Sequence, residues 1–174
     1  MDEFKVWVGC LACYNAGRLN GQWMDAEEAP EWKCDRAHHE EFWCFDIEAP
    51  HASLRHEMSP MEAAAIAEAL AEVQANFHPP VAYLAWCANV GADVKEYADN
   101  QSSFEDGFCG TWDSPRDYAD DWAEQMIASH FPDGNEFVER YFDWDKHCDE
   151  MFEHGPFWTE DADGGGVYIF NGDA

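Results

Sequence analysis

Three cysteines and one histidine in the first 40 residues have a spacing that suits metal binding. Cys10 and Cys13 form a CxxC pair, and after 20 intervening residues Cys34 and His38 form a CxxxH pair. Thiolate and imidazole ligands at such a spacing can hold a tetrahedral zinc ion. However, Cys10 and Cys13 lie at the end of a predicted strand among bulky residues, where buried, unliganded thiols are usual. We therefore predict free thiols, with no metal and no cofactor.

Other catalytic patterns are weak in this sequence. A thioredoxin-like redox role for the CxxC pair would need a βαβ setting, which the flanking sequence does not predict. The eight histidines show no HExxH or similar spacing, and carboxylates are too frequent for one acid–base pair to stand out. The glycines at 164–166 precede a predicted strand, not a helix, which favours a plain turn over a phosphate-binding loop. We predict that the protein is not an enzyme.

The clearest arrangement of carboxylates falls on a predicted amphipathic helix from Ser114 to Ser129. Ser114 is a favourable N-cap, and Pro115 suits the first helical position. The apolar half of the helical wheel is predicted to contain Tyr118, Ala119, Trp122, Ala123, Met126 and Ile127. The opposite face, within an arc of about 100°, is predicted to contain Asp117, Asp120, Asp121 and Glu124. With a rise of ~1.5 Å per residue, this face carries about one charge per 3 Å, close to the ~3.4 Å phosphate spacing of one DNA strand.

A second acidic helix is predicted to begin at Asp143, which can cap it. Its apolar face is predicted to contain Trp144, Cys148, Met151 and Phe152. Its outward carboxylates are predicted to be Asp145, Asp149, Glu150 and Glu153. Acidic helix faces can simply keep a protein soluble, but ordinary surfaces intersperse both signs of charge. The scarcity of Lys and Arg therefore favours a functional acidic surface.

The overall charge restricts the possible partners. The 174 residues include 37 acidic and nine basic residues, which gives a net charge of −28 at pH 7. A hydrophobic content of 47% and an aromatic content of 16% indicate a folded chain, because disordered chains lack such residues. Nine scattered basic residues cannot form the clustered positive surface that nucleic acids or anionic membranes require. We therefore predict a partner that itself binds nucleic acid, and no binding to nucleic acid or membranes.

Local patterns predict an α+β fold. Alternating apolar residues predict a strand from Phe4 to Gly9, and runs rich in aromatic and β-branched residues predict strands at 42–47 and 167–170, with turns at 14–17 and 163–166. Capping and periodicity predict helices at 59–77, at 80–89 and from 93 to about 98, besides the two acidic helices. We predict an elongated chain of three small modules. They are an N-terminal antiparallel sheet (1–58), central helices (59–103) and a C-terminal module with the acidic helices (104–174).

Targeting signals are not evident in the sequence. The first four residues, MDEF, lack the basic and apolar regions of a signal peptide, and no apolar run reaches 18 residues. Seven cysteines, an odd number, then indicate reduced thiols. We expect a cytoplasmic location.

Several short segments form a combined pattern over nearly the whole chain. They read VWVG at 6–9, YNAG at 14–17, GQWMD at 21–25, FEDGFCGTWDS at 104–114, DYA at 117–119, YFDWD at 141–145 and VYIF at 167–170. In their order, and together with the length and acidity of the chain, they resemble the ArdA antirestriction proteins. The alanine-rich segment at 59–77, which carries few acids, and the cysteine set are not part of the resemblance.

The resemblance implies an elongated homodimer whose carboxylates imitate the phosphates of bent B-form DNA. It implies binding to the DNA groove in the methyltransferase core of type I restriction–modification enzymes, which protects incoming mobile or phage DNA in a bacterial cell. The carboxylates that we predict to contact this partner are Glu105, Asp106, Asp113, Asp117, Asp120, Asp121, Glu124, Asp145, Asp149, Glu150 and Glu153.

Three alternatives remain open at the level of sequence. A mimic of DNA could be directed at another DNA-binding protein, such as a nucleoid protein or a repressor. The cysteines and His38 could instead define a small zinc-binding protein. An acidic protein adapted to high salt is a third alternative, although the aromatic content argues against it.

Overall fold

The computed structural model describes residues 4–133 and 135–174, and the fold is α+β, as predicted. The chain divides into two compact units, Met1–Gln101 and Ser102–Ala174. The further division at residue 58 and the elongated shape stay predictions. Residues 1–3, on which part of the export prediction depends, lie outside the described residues. No helix of the described residues is both long enough and apolar enough to cross a membrane.

The strands are β1 (Lys5–Cys10), β2 (Gly21–Asp25), β3 (Phe42–Glu48), β4 (Phe108–Trp112), β5 (Phe157–Asp161) and β6 (Val167–Asn171). The α-helices are α1 (Leu11–Asn15), α2 (Pro60–Ala75), α3 (Pro80–Val90), α4 (Tyr97–Gly107), α5 (Pro115–His130), α6 (Asn135–Tyr141) and α7 (Trp144–Asp149). Short 3-10 segments lie at Ala26–Glu31, Ala52–Leu54 and Val94–Glu96, and a π-helical turn lies at Glu150–His154.

The first unit is built on an antiparallel sheet in the order β2-β1-β3. Val6 and Val8 of β1 are fully buried, as their alternation predicts. Gly21 of β2 pairs with Gly9, and a Cβ atom at Gly21 would lie only 2.4 Å from the carbonyl oxygen of Val8. The glycine that opens the GQWMD segment therefore permits close approach of β2 to β1. The sequence did not predict β2 as a strand.

Helices α2 and α3 complete this core. The Ser59 hydroxyl accepts a hydrogen bond from the backbone N–H of Glu62 at 3.1 Å, which confirms the predicted cap. Ile66, Leu70 and Val73 are buried, as their spacing predicts. Phe77 was expected on the same face, but α2 ends at Ala75, and Phe77 has a positive φ and is exposed.

The second unit combines a sheet in the order β4-β6-β5 with helices α5 to α7. Tight turns at 162–166 join β5 to β6, as predicted for the glycine run. Gly166 has φ +82°, and a Cβ atom there would lie 2.3 Å from the carbonyl oxygen of Trp112. Ile169 and Phe170 of the central strand β6 are fully buried and form the centre of this core.

Candidate functional site

Helix α5 begins where the sequence places it. The Ser114 hydroxyl accepts a hydrogen bond from the backbone N–H of Asp117 at 3.2 Å and donates one to the Asp117 carboxylate at 2.6 Å. Asp117 thus lies in the first turn, where the helix dipole favours negative charge. The cap fixes the residue at which α5 begins. Because the helix has about 3.6 residues per turn, the later carboxylates then fall on the same side as Asp117.

The inner face of α5 is attached to the sheet of its own unit. Ala119, Ala123 and Ile127 are buried. The Tyr118 ring packs against Trp112 of β4, with centroids 5.3 Å apart, and against Phe157 of β5, with centroids 5.6 Å apart. Burial raises the pKa of Tyr118, so its phenol stays neutral. Because this face is packed, the opposite face of the helix is left toward solvent.

The outer face of α5 presents the predicted carboxylates. Asp117 and Glu124 are exposed, and Asp120 and Asp121 are half-buried. The side-chain amide of Gln125 donates a hydrogen bond to Asp121 at 2.6 Å. Four carboxylates within two turns therefore share one side of a single rigid helix.

Arg116 modifies this acidic face in a way that sequence reasoning missed. Its Nε donates to Asp120 at 2.7 Å, and its Nη1 donates to Asp145 of α7. The hydrogen bonds with Asp145 and Asp120 raise the pKa of Arg116, and the guanidinium partly neutralises both carboxylates. Among the described residues, no Lys or Arg forms an ion pair with the other three carboxylates of this face, which are Asp117, Asp121 and Glu124. The spacing of Arg116 and Asp120 (i, i+4) was the available signal.

The second acidic helix is shorter than its sequence pattern suggests. The Asp143 carboxylate accepts a hydrogen bond from the backbone N–H of Lys146 at 3.1 Å, as expected of a cap. Helix α7 ends at Asp149, and a π-helical turn follows it directly. Met151 in this turn is buried. The carboxylates predicted to point outward are all exposed, namely Asp145, Asp149, Glu150 and Glu153.

The three remaining predicted carboxylates lie before α5. Glu105 and Asp106 are exposed in the last turn of α4. Asp113 is exposed directly after β4. All eleven predicted positions thus belong to the second unit, which holds 19 acidic and three basic residues. Contact with a partner stays a prediction for each of them.

An apolar groove adjoins the acidic face of α5. It has a volume of about 380 Å³ and is lined by residues of α5 and of the segment 131–147. Trp122, 39% exposed, stacks against His147 of α7 with centroids 5.4 Å apart, and Met126 is 40% exposed. Trp144 packs edge-on against Phe142 and donates a hydrogen bond to the Glu139 carbonyl at 3.3 Å. These aromatic residues hold the helices of the unit together and leave part of their surface to solvent.

The cysteine set forms a compact cluster in the first unit, but the histidine in it is not the one that the sequence spacing indicated. His39, not His38, supplies its imidazole: Nδ1 of His39 lies 3.2 Å from Sγ of Cys10 and 3.4 Å from Sγ of Cys13. Cys34 completes a set whose donor atoms all lie within 4.8 Å of one another. His38 is exposed and has φ +70°, a backbone turn that sequence spacing does not reveal.

The environment of these thiols differs between positions. Burial opposes ionisation of Cys10, but hydrogen bonds from the Cys13 backbone N–H and from the neighbouring thiols outweigh it and lower the pKa of Cys10. Burial raises the pKa of Cys34. Elsewhere in the unit, burial raises the pKa values of Cys44 and Cys87 to about 11, as expected for thiols in a protein core.

The fold and these surfaces define an acidic α+β protein whose second unit presents most of its carboxylates to solvent. Residues 6–161 match the family model described as antirestriction protein (ArdA). The match covers most of the chain, and the chain belongs to the ArdA family of antirestriction proteins, which confirms the resemblance. The family implies a protein partner such as a restriction enzyme. Comparisons with curated proteins and with solved structures give no match.

Proposed function

We propose that this antirestriction protein inhibits type I restriction–modification enzymes as a mimic of B-form DNA, without catalysis of its own. The observation that carries the proposal is the row of carboxylates along the outward face of α5, at a spacing close to that of phosphates. In this mechanism, Lys and Arg residues of the enzyme's DNA groove bind carboxylates in place of phosphates, and DNA is excluded.

The distribution of charge favours a contact that is spread over many carboxylates, and not one that depends on a single anchoring residue. The carboxylates are exposed and numerous, and exposed ion pairs contribute little each, about 0.5–1 kcal/mol. Arg116 lowers the contribution expected of Asp120 and Asp145. Of the α5 carboxylates, we therefore assign the largest share to Asp117, Asp121 and Glu124.

A cleavage assay with purified type I enzymes tests the proposal. Increasing amounts of the protein should suppress DNA cleavage, and added DNA should restore it, because the two ligands compete. If several type I enzymes of different families retain full activity at several-fold molar excess, the proposal is wrong. Displacement of DNA from a nucleoid protein or a repressor, with no effect on restriction, would indicate a different partner.

We also propose that two copies associate through the apolar groove beside α5. A partly exposed apolar surface with aromatic residues and methionine is typical of the core of protein interfaces. A dimer would bring two acidic faces into one assembly, with twice the charge of −28 that one chain carries. A longer acidic surface would match a longer stretch of duplex.

The substitution Met126→Lys should break this dimer, because it places a charge in the apolar lining of the groove. Light scattering should then give the 19.9 kDa mass of one chain, against twice that mass for the unchanged protein. Met61→Lys is the matched control, since Met61 is 69% exposed in the first unit. A dimer that survives Met126→Lys, or a monomeric unchanged protein, contradicts the assignment.

A further inference from the structure

We propose that Cys10, Cys13, Cys34 and His39 bind one Zn²⁺ ion as a closed, structural site. The ligands come from three places in the first unit. Cys10 ends β1, Cys13 lies in α1, and Cys34 and His39 lie in the irregular segment between the 3-10 turn at Ala26–Glu31 and β3. This inference does not depend on the acidic surface, which belongs to the other unit.

The distances between the donor atoms agree with the edges of a zinc tetrahedron. Bonds of ~2.3 Å to sulfur and ~2.0–2.1 Å to nitrogen require sulfurs about 3.8 Å apart and sulfur–nitrogen separations of about 3.6 Å. The sulfurs of Cys13 and Cys34 are 3.9 Å apart. Nδ1 of His39 lies 3.2, 3.4 and 3.7 Å from the sulfurs of Cys10, Cys13 and Cys34 respectively. All four donors lie within 4.8 Å of one another, close enough to surround a single ion.

Neighbouring N–H groups point at the sulfurs, as they do around coordinated thiolates. The backbone N–H of Cys13 donates to Sγ of Cys10 at 3.4 Å. The Asn20 side-chain amide donates to Sγ of Cys34 at 3.1 Å and is oriented by Asp35, whose carboxylate accepts from the same nitrogen at 2.8 Å. Such donors fix the ligands and stabilise their negative charge.

Apolar packing alone does not account for the cluster. Cys44 and Cys87 are also buried thiols of this core, but both lie outside the cluster. Three thiols and an imidazole that converge from segments up to 29 residues apart are instead the pattern of a metal site. The sequence interpretation favoured free thiols because Cys10 and Cys13 lie at the end of a strand among bulky residues, and it considered His38 in place of His39.

The site would have a structural role. Three sulfurs and one nitrogen fill the four positions of the tetrahedron, so no position is open for substrate or water. Coordination releases the three thiol protons and leaves a net charge of −1 on the complex. The metal would fasten residues 32–41, which form no regular secondary structure, to the end of β1 and to α1.

The metal content of the full chain tests the proposal directly. Protein purified with a phosphine reductant and without chelator should contain about one zinc per chain. Titration of the metal-free, reduced protein with Co²⁺ should give the intense visible absorption of a tetrahedral thiolate site and saturate at one ion per chain. Less than one-tenth of an equivalent of zinc together with no Co²⁺ spectrum would overturn the proposal, as would a Cys13–Cys34 disulfide in reduced preparations.

Adjacent histidines provide a matched pair of variants. His39→Asn should lower metal affinity at least about tenfold, whereas His38→Asn should leave it unchanged, because His38 is exposed and asparagine tolerates its positive φ. Cys109→Ser, at a half-buried thiol of the other unit, is the control for Cys34→Ser. Equal losses in both histidine variants would contradict the ligand assignment. Asn20→Ala, which removes the amide that donates to the Cys34 sulfur and to Asp35 but leaves all four ligands in place, should weaken binding by about 10–100-fold.

Discussion

Reversal of Asp117, Asp120, Asp121 and Glu124 to Lys should weaken inhibition of a type I restriction enzyme by at least about tenfold. The three carboxylates that Arg116 does not pair contribute about 1.5 kcal/mol together even at the low end of ~0.5 kcal/mol per charge, and each 1.4 kcal/mol is tenfold. The new lysines also repel the basic groove, so the loss should exceed this lower bound. The measurement is the protein concentration that halves DNA cleavage.

A control variant with the same net charge as the fourfold reversal separates the effect of the acidic face of α5 from the effect of total charge. Glu27, Glu28, Glu68 and Glu72 are exposed in the first unit, and their reversal to Lys also changes the net charge from −28 to −20, two units per position. This control should inhibit within a few-fold of the unchanged protein. An equal loss in both variants would show that net charge, and not the face of α5, determines inhibition.

Single changes distinguish a distributed contact from a point contact. Asp117→Asn or Glu124→Gln should each weaken inhibition only about two- to fivefold, in line with ~0.5–1 kcal/mol per exposed charge. If one of them alone reproduced the loss of the fourfold variant, the partner would depend on one anchoring carboxylate.

Phe170→Ala should unfold the second unit, or bring it close to unfolding. Phe170 is fully buried on the central strand β6, and its ring stacks on Trp158 with centroids 4.1 Å apart and tilts against Phe108 at 5.5 Å. Truncation of a buried phenylalanine costs about 3–5 kcal/mol, a large part of the ~5–15 kcal/mol that stabilises a typical domain. Urea denaturation measures the loss, and inhibition should fall with it because α5 packs on this sheet.

Phe137→Ala is the matched control, because Phe137 lies in the same unit and is 69% exposed. Its free energy of unfolding should change by no more than about 0.5 kcal/mol. A similar cost for Phe137→Ala, or a cost below about 1 kcal/mol for Phe170→Ala, would contradict the core described for this unit.

Local signals in the sequence were sufficient for the elements that position the acidic face. Ser59 and Ser114 cap their helices as predicted, because capping depends on residues only three positions away. Strand β1 follows from alternating apolar residues, and strands β3 and β6 follow from short runs of aromatic and β-branched residues, which are also local properties. The α+β class therefore followed from the sequence.

Features that depend on distant contacts were missed. The ion pair of Arg116 with Asp145 joins residues 29 positions apart, and His39 reaches the cysteines only because the chain turns at His38. Strands β2 and β5 expose or half-expose most of their residues, so they lack the apolar alternation that identifies a strand. The length of α4 was underestimated because its Asn, Ser and Asp residues have low helix propensity.

Direct competition for DNA binding tests the central claim most closely. Fluorescently labelled DNA is titrated with the methyltransferase core of a type I enzyme at several fixed concentrations of this protein. We predict that the apparent Kd for DNA rises linearly with the concentration of this protein, and that no complex contains both ligands. An unchanged Kd, or a ternary complex of enzyme, DNA and this protein, would contradict the claim that the carboxylates occupy the DNA groove.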